Sequence, residues 1–391
     1  MVKEEKTKVV VIIPTYNEKE NVGRMVDVLE DEIFPQITNH EMVILFADDT
    51  SPDGTADIIK EKMKKFKNIE LLMGKKEGLG AAYVRAMKHA MNEMDAYAVI
   101  EFDCDFQHNP HDIPRLIAEM DKGYDYVIGS RYVKGGSVPE NWGLDRKILS
   151  RFGGMFARIM WLKFDIHDIT AGLKLTRTSI LKKIDLDHML SKQFAYKMQI
   201  LHDAYKAGAK VKEIPVNFLE REVGVSKINK TEQFESLYVV CMLAWRDWER
   251  IIKFLVVGGT GFIVQLVAQE GSVALHAPHA WAVGIGAETA ILSNFLWNHV
   301  WTFSDAQHTE GSSNVFVKLV KFNFTSIGAV VVQVVAVWIA EQVFGVQMHL
   351  LGYSVATRIL ILFPTIILVV IPMNYIIYNK FIWKTQHLKK K

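Results

Sequence analysis

Apolar residues are distributed unevenly along this chain, and their distribution sets the first limit on its fold. Beyond Lys253 the sequence consists largely of long apolar runs with few charges. Four runs have the roughly 20 mostly apolar residues that a helix needs to cross a bilayer. They lie near Phe254–Val273, Trp281–Trp301, Leu319–Val343 and Gly352–Tyr378. The sequence therefore predicts four transmembrane helices behind a soluble N-terminal part, and it excludes a single soluble domain.

Lys and Arg residues predict the orientation of the apolar half. The loops near 272–280 and 345–350 contain neither residue. The opposite ends of the runs carry Arg246, Arg250, Lys253, Lys318, Lys321, Lys380, Lys384 and Lys389–Lys391. Because loops rich in Lys and Arg remain on the cytoplasmic side, we expect a multi-pass protein of the cell membrane. Its soluble part and both termini are expected in the cytoplasm.

The segment Thr231–Ile252 joins the two halves and has the pattern of an amphipathic helix. Its aromatic residues lie beside Arg246 and Arg250, a combination that suits the boundary between water and lipid. A helix packed on the soluble part explains the same pattern equally well. We divide the chain into a soluble domain at 1–228, an interfacial segment at 229–252 and a membrane domain at 253–391.

The soluble part alternates short apolar runs with segments of helical spacing. Strands are predicted at Lys8–Ile13, Met42–Phe46, Ile69–Met73 and Ala96–Phe102, and each is followed by a polar loop and a helix. This alternation is typical of an α/β fold with a mainly parallel sheet. Ligands of such sheets bind at the carboxyl ends of the strands. The loops at those ends hold most of the candidate site residues.

Two aspartates follow the fourth predicted strand. If the extended geometry continues through Cys104, Asp103 and Asp105 point to one side and Cys104 points into the core. Two carboxylates so close together repel each other unless a cation lies between them. Oxygen ligands favour Mg²⁺ or Mn²⁺. Taken alone, the Asp-x-Asp pattern fits a solvated turn at least as well as a metal site.

Glycines and cations at two other strand ends would suit a phosphate group. Gly78 and Gly80 open a helix whose backbone N–H groups could face a phosphate, although close packing of helix and strand also explains them. Arg131 follows a strand predicted at Tyr126–Ile128 and would neutralise phosphate charge. A solvated surface turn is the alternative for Arg131.

Five loop sequences, taken in order, resemble those of family 2 inverting glycosyltransferases of the GT-A fold, and more narrowly the dolichol-phosphate mannose synthase family. They are Pro14-Thr15-Tyr16-Asn17-Glu18, Asp48-Asp49-Thr50-Ser51-Pro52-Asp53-Gly54-Thr55, Gly78-Leu79-Gly80-Ala81-Ala82, Asp103-Cys104-Asp105-Phe106-Gln107-His108 and Gly129-Ser130-Arg131-Tyr132. The apolar half resembles GtrA-like four-helix membrane domains through 253–259 and 294–303. Together the two resemblances cover nearly the whole chain.

The resemblance implies roles for particular residues. Those matching the family's nucleotide-sugar positions are Pro14, Tyr16, Glu18, Asp48, Asp49, Gly78, Asp103, Cys104, Asp105 and Arg131. Asp103, Asp105 and Gln107 match positions around a metal, either Mg²⁺ or Mn²⁺, and with Arg131 they form the expected catalytic set.

The expected acceptor site departs from the family's pattern. The family's loop typically reads Arg-x-x-Gly-Glu-Ser-Lys, whereas this chain has Val225 in place of the acidic residue. We expect Arg146, Arg221, Ser226 and Lys227 to hold an acceptor phosphate. This difference affects the predictions of the sugar and of the acceptor loop more than the prediction of the reaction.

The function implied by the resemblance is metal-dependent, inverting transfer of mannose from GDP-mannose to dolichyl or another polyprenyl phosphate in the bilayer. UDP-glucose is the alternative donor, because GtrA-like domains accompany that activity too. A protein that binds or translocates glycolipid is a further alternative. A processive polysaccharide synthase would usually carry Gln-x-x-Arg-Trp, a spacing that this region lacks. No nucleic-acid partner is expected.

Overall fold

The computed structural model describes residues 6–220, 230–307, 314–350 and 353–383. The chain divides into two compact units, Met1–Arg246 and Asp247–Lys391. The division falls inside one long helix, Lys230–Ala274.

A seven-stranded sheet forms the centre of the first unit. Its strands are β1 (Thr7–Thr15), β2 (His40–Asp48), β3 (Ile69–Met73), β4 (Ala98–Glu101), β5 (Tyr126–Ser130), β6 (Lys174–Arg177) and β7 (Val211–Pro215). They lie in the order β3-β2-β1-β4-β6-β5-β7. Strand β6 is antiparallel to β4 and β5, and the remaining neighbours pair in parallel. The predicted mainly parallel sheet is confirmed.

Helices cover both faces of this sheet. They are α1 (Lys19–Asp27), α2 (Thr55–Lys65), α3 (Leu79–Asn92), α4 (Ile113–Asp121), α5 (Leu144–Trp161), α6 (Thr178–Leu181) and α7 (Tyr196–Lys206). Val9, Val11 and Ile13 of β1 join a core with residues of α1 and α4, and Val10 and Ile12 on the other face are equally buried. A strand buried on both faces reads as a continuous apolar run, which is why β1 is so clear in the sequence.

The reversed direction of β6 determines which loops meet. Because β6 is antiparallel to both neighbours, β4 and β5 run in the same direction. The carboxyl ends of β1, β2, β4 and β5 therefore share one edge with the amino end of β6. The loop that precedes β6, at 165–173, is thus brought to the same edge as the predicted site loops.

The second unit is largely helical. Its elements are the greater part of α8 (Lys230–Ala274), followed by α9 (His279–Trp297), α10 (Val315–Phe344), the hairpin β8 (Gln347–Leu350) and β9 (Tyr353–Ala356), α11 (Thr357–Thr365) and α12 (Ile371–Ile377). An aromatic cluster of Phe254, Phe295, Phe303, Phe322 and Trp383 packs these helices together.

Helix α8 is continuous and includes both the predicted amphipathic helix Thr231–Ile252 and the first predicted span, near Phe254–Val273. Among the described residues, two helices are long and apolar enough to cross a membrane, Thr231–Ala274 and Val315–Phe344. The other two spans remain predictions; the last region contains Pro364 within α11 and wider π-type turns on either side of α12.

Candidate active site

The loops after β1 and β2 are held together by Asp48. Its carboxylate is fully buried and accepts hydrogen bonds from the Thr15 hydroxyl (2.8 Å) and from the Ser51 backbone N–H (2.8 Å) and hydroxyl (2.7 Å). The Asn17 N–H in turn donates to the Ser51 hydroxyl. Asp48 therefore shapes the loop, and the ligand-facing role predicted for it remains untested.

Other predicted donor residues lie around this loop. Pro14 is in the last part of β1, paired with Ala47. Asp49 is buried and forms an ion pair of 2.8 Å with Arg85 of α3. The Tyr16 ring faces the Lys76 ammonium at 3.4 Å from its centroid. An aromatic face beside a cation suits a base and its phosphates chemically.

Glu18 lies at the start of α1, directly after the loop that follows β1. Its carboxylate accepts a hydrogen bond from the Asn21 amide at 2.8 Å, and its backbone N–H donates to the Thr55 hydroxyl at 3.0 Å. The second contact ties the β1 loop to the start of α2. The role predicted for Glu18 toward a ribose stays a prediction.

Gly78 serves close packing in this structure. It precedes α3 with a φ of +129°, and a Cβ there would overlap the Lys192 carbonyl oxygen and the Gln193 side chain. The Ala81 N–H donates to that same carbonyl at 3.1 Å. The packing interpretation of the Gly78–Gly80 loop thus accounts for Gly78 without a phosphate.

The acidic pair lies on a turn and not on a strand. Strand β4 ends at Glu101 and the chain turns at Cys104 and Asp105, so strand geometry does not continue through Cys104. The Tyr83 hydroxyl donates to Asp103 Oδ1 at 2.7 Å, and Asp105 Oδ1 accepts from the Gln107 N–H at 3.1 Å. Cys104 is buried in the core as predicted.

The chemistry of this turn fits a hard cation that shares ligands with a substrate. Among the described residues, no three His, Cys, Asp or Glu side chains are grouped as an all-protein metal site would require. The Gln107 side-chain amide donates to the Leu219 carbonyl at 3.5 Å, a long contact. Two carboxylates on one turn are typical of a Mg²⁺ or Mn²⁺ site that is completed by phosphate oxygens and water.

Arg131 is held by the carboxylate of Asp168, which lies in the loop before β6 and is not among the predicted site residues. Its Nε and Nη2 donate to the two oxygens of Asp168 at 2.8 and 2.7 Å, and Nη2 also reaches the Thr170 hydroxyl at 2.8 Å. Asp168 is completely buried. Burial alone would raise the pKa of Asp168, but the Arg131 charge and hydrogen bonds outweigh burial and hold the pKa below its usual value.

Buried charged and aromatic side chains lie directly behind the acidic turn. The Tyr196 hydroxyl donates to Glu101, and its ring stacks on Tyr83 with centroids 5.5 Å apart. Lys174 and Lys197 are fully buried nearby, and the Lys174 ammonium donates to the Lys197 carbonyl at 3.1 Å. Burial lowers the pKa of Lys174 to about 8 and raises the pKa of Glu101. This layer fixes Tyr83, which in turn positions Asp103.

His108 closes the other side of the turn. It is buried, and neither ring nitrogen has a hydrogen-bond partner among the described residues. Burial lowers the pKa of His108 to about 4, so the ring is neutral at pH 7. A Cβ at Gly172 would clash with this ring and lie 3.5 Å from Asp103 Oδ2. Gly172 therefore permits the loop before β6 to approach the acidic turn.

The described residues include only part of the predicted acceptor site. Arg146 lies in α5, but the position of its side chain is outside the described residues, as are Arg221, Ser226 and Lys227. Nearer the site, the Tyr132 hydroxyl and Ser150 of α5 are 2.6 Å apart. This contact connects the loop after β5 with α5.

Comparison with known proteins agrees with this arrangement. Residues 10–185 match the model for glycosyl transferase family 2, and residues 253–383 match the GtrA/DPMS transmembrane domain. A dolichol-phosphate mannosyltransferase of Pyrococcus furiosus is 36% identical over 335 residues, which are 85% of this chain and 90% of that protein. This chain belongs to glycosyl transferase family 2. It is a glycosyltransferase with a transmembrane domain.

Two further proteins are similar to about three fifths of this chain. A polyprenol monophosphomannose synthase of Mycolicibacterium smegmatis is 38% identical over 60% of this chain and 85% of that protein. A glucosyl-3-phosphoglycerate synthase from Mycobacterium tuberculosis, solved with Mn²⁺ and UDP, has a TM-score of 0.46 and 13% identity. The match covers 61% of this chain and 80% of that one.

Proposed function

We propose that this glycosyltransferase transfers mannose from GDP-mannose to a polyprenyl phosphate with inversion at the anomeric carbon. The observation that supports it most is the meeting of the acidic turn at Asp103 and Asp105 with the buried Arg131–Asp168 pair at one sheet edge. The relatives named for mannosyl transfer to dolichol phosphate and to polyprenol phosphate support the choice of sugar and acceptor.

A divalent cation fits the acidic turn, and Asp103 and Asp105 would hold it, with Gln107 as the further predicted ligand. Bound there, Mg²⁺ or Mn²⁺ would offset the charge that the departing nucleoside diphosphate carries. The same ion would relieve repulsion between the two aspartates. Tyr83 keeps Asp103 in place through its hydroxyl.

The acceptor needs little chemical activation, because a phosphate monoester is already an anion at neutral pH. One of its oxygens forms a bond to the anomeric carbon while the bond from that carbon to the diphosphate oxygen breaks. Attack from the opposite face turns an α-linked donor into a β-linked product. The enzyme must hold two anions close together. Arg131 supplies a positive charge for this, and its hydrogen bonds to Asp168 fix the orientation of the guanidinium group.

A transmembrane domain suits an acceptor as apolar as a polyprenyl phosphate. A polyprenyl chain resides in the bilayer and its phosphate lies at the surface. In the proposed arrangement the first unit and both termini are cytoplasmic, as the Lys and Arg distribution predicts. The proposed soluble boundary at 228 and interfacial segment at 229–252 belong to the same arrangement.

The donor is tested by offering radiolabelled GDP-mannose and UDP-glucose separately to the full chain with polyprenyl phosphate. We expect label in the lipid fraction from GDP-mannose, and loss of that label in Asp105→Asn. Asp57→Asn is the control, because Asp57 is an exposed carboxylate on α2. Label from UDP-glucose alone would contradict the proposed donor, and full transfer by Asp105→Asn would contradict the proposed centre.

A further inference from the structure

The loop at 165–173, which carries Asp168 to the site, is held near its start by Glu213 of β7. One oxygen of the Glu213 carboxylate, Oε1, accepts a hydrogen bond from the Asp168 backbone N–H at 2.8 Å. The other oxygen, Oε2, accepts from the His167 backbone N–H at 2.8 Å and also lies 2.8 Å from His167 Nδ1. The Glu213 side chain is only 7% exposed. Both of its oxygens are therefore used on two consecutive residues of this loop.

The contact between Glu213 and the loop fixes the direction of the backbone as well as its distance from the sheet. An ionised carboxylate can accept hydrogen bonds on both oxygens, and its bonds from backbone N–H groups are among the stronger ones in proteins. Bonds to two neighbouring N–H groups resist rotation of the backbone between them, which a single bond would not. Glu213 thus sets the conformation of the peptide between His167 and Asp168.

Asp168 is consequently held at both its backbone and its side chain. The backbone N–H is bound by Glu213, and the carboxylate accepts from the Arg131 backbone N–H at 2.9 Å, from Nε at 2.8 Å and from Nη2 at 2.7 Å. The Thr170 hydroxyl of the same loop accepts from Nη2 as well, at 2.8 Å. The position of the Arg131 guanidinium therefore depends on where this loop is held, in addition to the strand that precedes it.

The neighbouring strands β5 and β7 carry the two ends of this set of contacts. They pair in parallel, with Glu213 in register with Ile128. Strand β5 ends at Ser130, directly before Arg131. The path from β5 through Arg131, Asp168 and Glu213 to β7 therefore closes on itself through the ladder of the sheet. A closed set of hydrogen bonds leaves the guanidinium few directions in which to move.

We propose that Glu213 is a positioning residue for the transfer, which acts on Arg131 through the 167–168 backbone and Asp168. This role rests on the proposed function, in which Arg131 supplies the positive charge that holds two anions together. Displacement of a binding group by about 1 Å can lower a rate about 100-fold. A contribution to the fold alone would lower the rate by a factor that does not depend on the residue at position 131.

The first test follows amide hydrogen exchange in the full chain by mass spectrometry and requires no turnover. Glu213→Gln keeps the shape of the side chain but replaces one acceptor oxygen by an NH₂ group. We expect faster exchange in peptides that contain His167 and Asp168, and also in peptides that contain Arg131, whose N–H donates to Asp168. Glu41→Gln, at an exposed glutamate of β2, is the control and should change neither. Unchanged exchange at Arg131 in Glu213→Gln would overturn the proposal.

The second test is a double-mutant cycle on kcat/KM for the nucleotide sugar that the unaltered chain transfers. Residues that act on each other give non-additive losses, whereas independent residues give additive ones. Glu213→Gln should lower kcat/KM by about 10–100-fold in the unaltered chain. In an Arg131→Lys background it should lower kcat/KM by less than about twofold. Equal losses in the two backgrounds, or no loss in either, would overturn the proposal.

Glu213→Asp is a second variant for both measurements, because it keeps the charge and shortens the side chain. Circular dichroism verifies that each variant folds. Failure of both Glu213 variants to fold would also overturn the proposal, since it would assign this residue to the fold alone. Neither measurement requires that the donor is GDP-mannose, so a failure of the proposed mannosyl transfer is distinguishable from a failure of the role of Glu213.

Discussion

Among the site residues, Asp168 is the one whose replacement should reduce the free energy of unfolding most. It is completely buried and accepts three hydrogen bonds from Arg131, through the backbone N–H, Nε and Nη2. Asp168→Asn leaves Arg131 buried without a full opposite charge, so we expect a loss of about 3–5 kcal/mol in the free energy of unfolding at pH 7. Asp57→Asn, in an exposed pair, should cost under about 1 kcal/mol. Equal unfolding midpoints for the two variants would contradict this assignment.

The same ion pair predicts how stability depends on pH. The pKa of Asp168 is lower in the folded chain than in the unfolded one, where it is about 3.9. The pair therefore contributes fully above about pH 5, and its contribution is lost as pH falls through the folded pKa. Unfolding followed from pH 6 down to pH 2 should show a smaller decline in Asp168→Asn than in the unaltered chain. Parallel declines would show that Asp168 titrates normally.

Tyr83 is expected to act on metal affinity through Asp103. Tyr83→Phe removes the hydroxyl that donates to Asp103 at 2.7 Å and leaves the ring to stack on Tyr196. Loss of such an outer contact typically weakens metal binding by about 10–100-fold. Mn²⁺ titrations followed by electron paramagnetic resonance, with GDP present, measure this directly. The control is Tyr124→Phe, a half-buried tyrosine beside Lys212, and equal Mn²⁺ affinity in both variants would contradict the role of Tyr83.

Some of the site residues could be predicted from the sequence. Asp103, Asp105 and Arg131 follow apolar strands, and the carboxyl ends of parallel strands meet at one edge. Asp168 and Lys197 were not predictable in the same way. Asp168 precedes a strand, and in a fully parallel sheet such a loop would lie at the opposite edge. No local pattern marks β6 as antiparallel, since its direction is fixed by pairing with β4 and β5.

At the scale of elements, the strands and helices of the first unit followed their apolar periodicity closely. The strand predicted at Ile69–Met73 coincides with β3. The end of β4 was misjudged because Phe102 is apolar and buried like a strand residue, although the ladder stops at Glu101. The apolar pattern of a sequence indicates which residues are buried. It does not indicate where the hydrogen-bonded ladder of a strand ends.

The start of α3 provides a prediction about glycines. Gly78→Ala should destabilise the chain by more than the roughly 1–2 kcal/mol typical of a positive φ, because its Cβ would also overlap the Lys192 carbonyl. Gly54→Ala is the matched case, with a φ of +91° and open space around it. Thermal unfolding of the two variants compares them. A Gly78→Ala midpoint equal to that of Gly54→Ala would show that the 192–193 segment moves aside at no cost.

At the scale of the whole molecule, the chain combines a glycosyltransferase unit with a transmembrane domain through the continuous helix α8. The sequence predicted both parts because their apolar patterns differ, with short runs in one and long runs in the other. The predicted amphipathic helix Thr231–Ile252, where aromatic and basic residues cluster, is part of the continuous helix α8. The identity of the donor base depends on side-chain contacts that apolar patterning does not encode.

The central claim is inverting transfer of mannose from GDP-mannose to a polyprenyl phosphate. Its most direct test is to incubate the full chain in a bilayer with both substrates and Mg²⁺ or Mn²⁺, and to determine the anomeric configuration of the lipid product by nuclear magnetic resonance. A β-linked mannosyl phosphate that forms with the metal present and is lost on chelation is the predicted result. An α-linked product, or no mannolipid from GDP-mannose under these conditions, would contradict the claim.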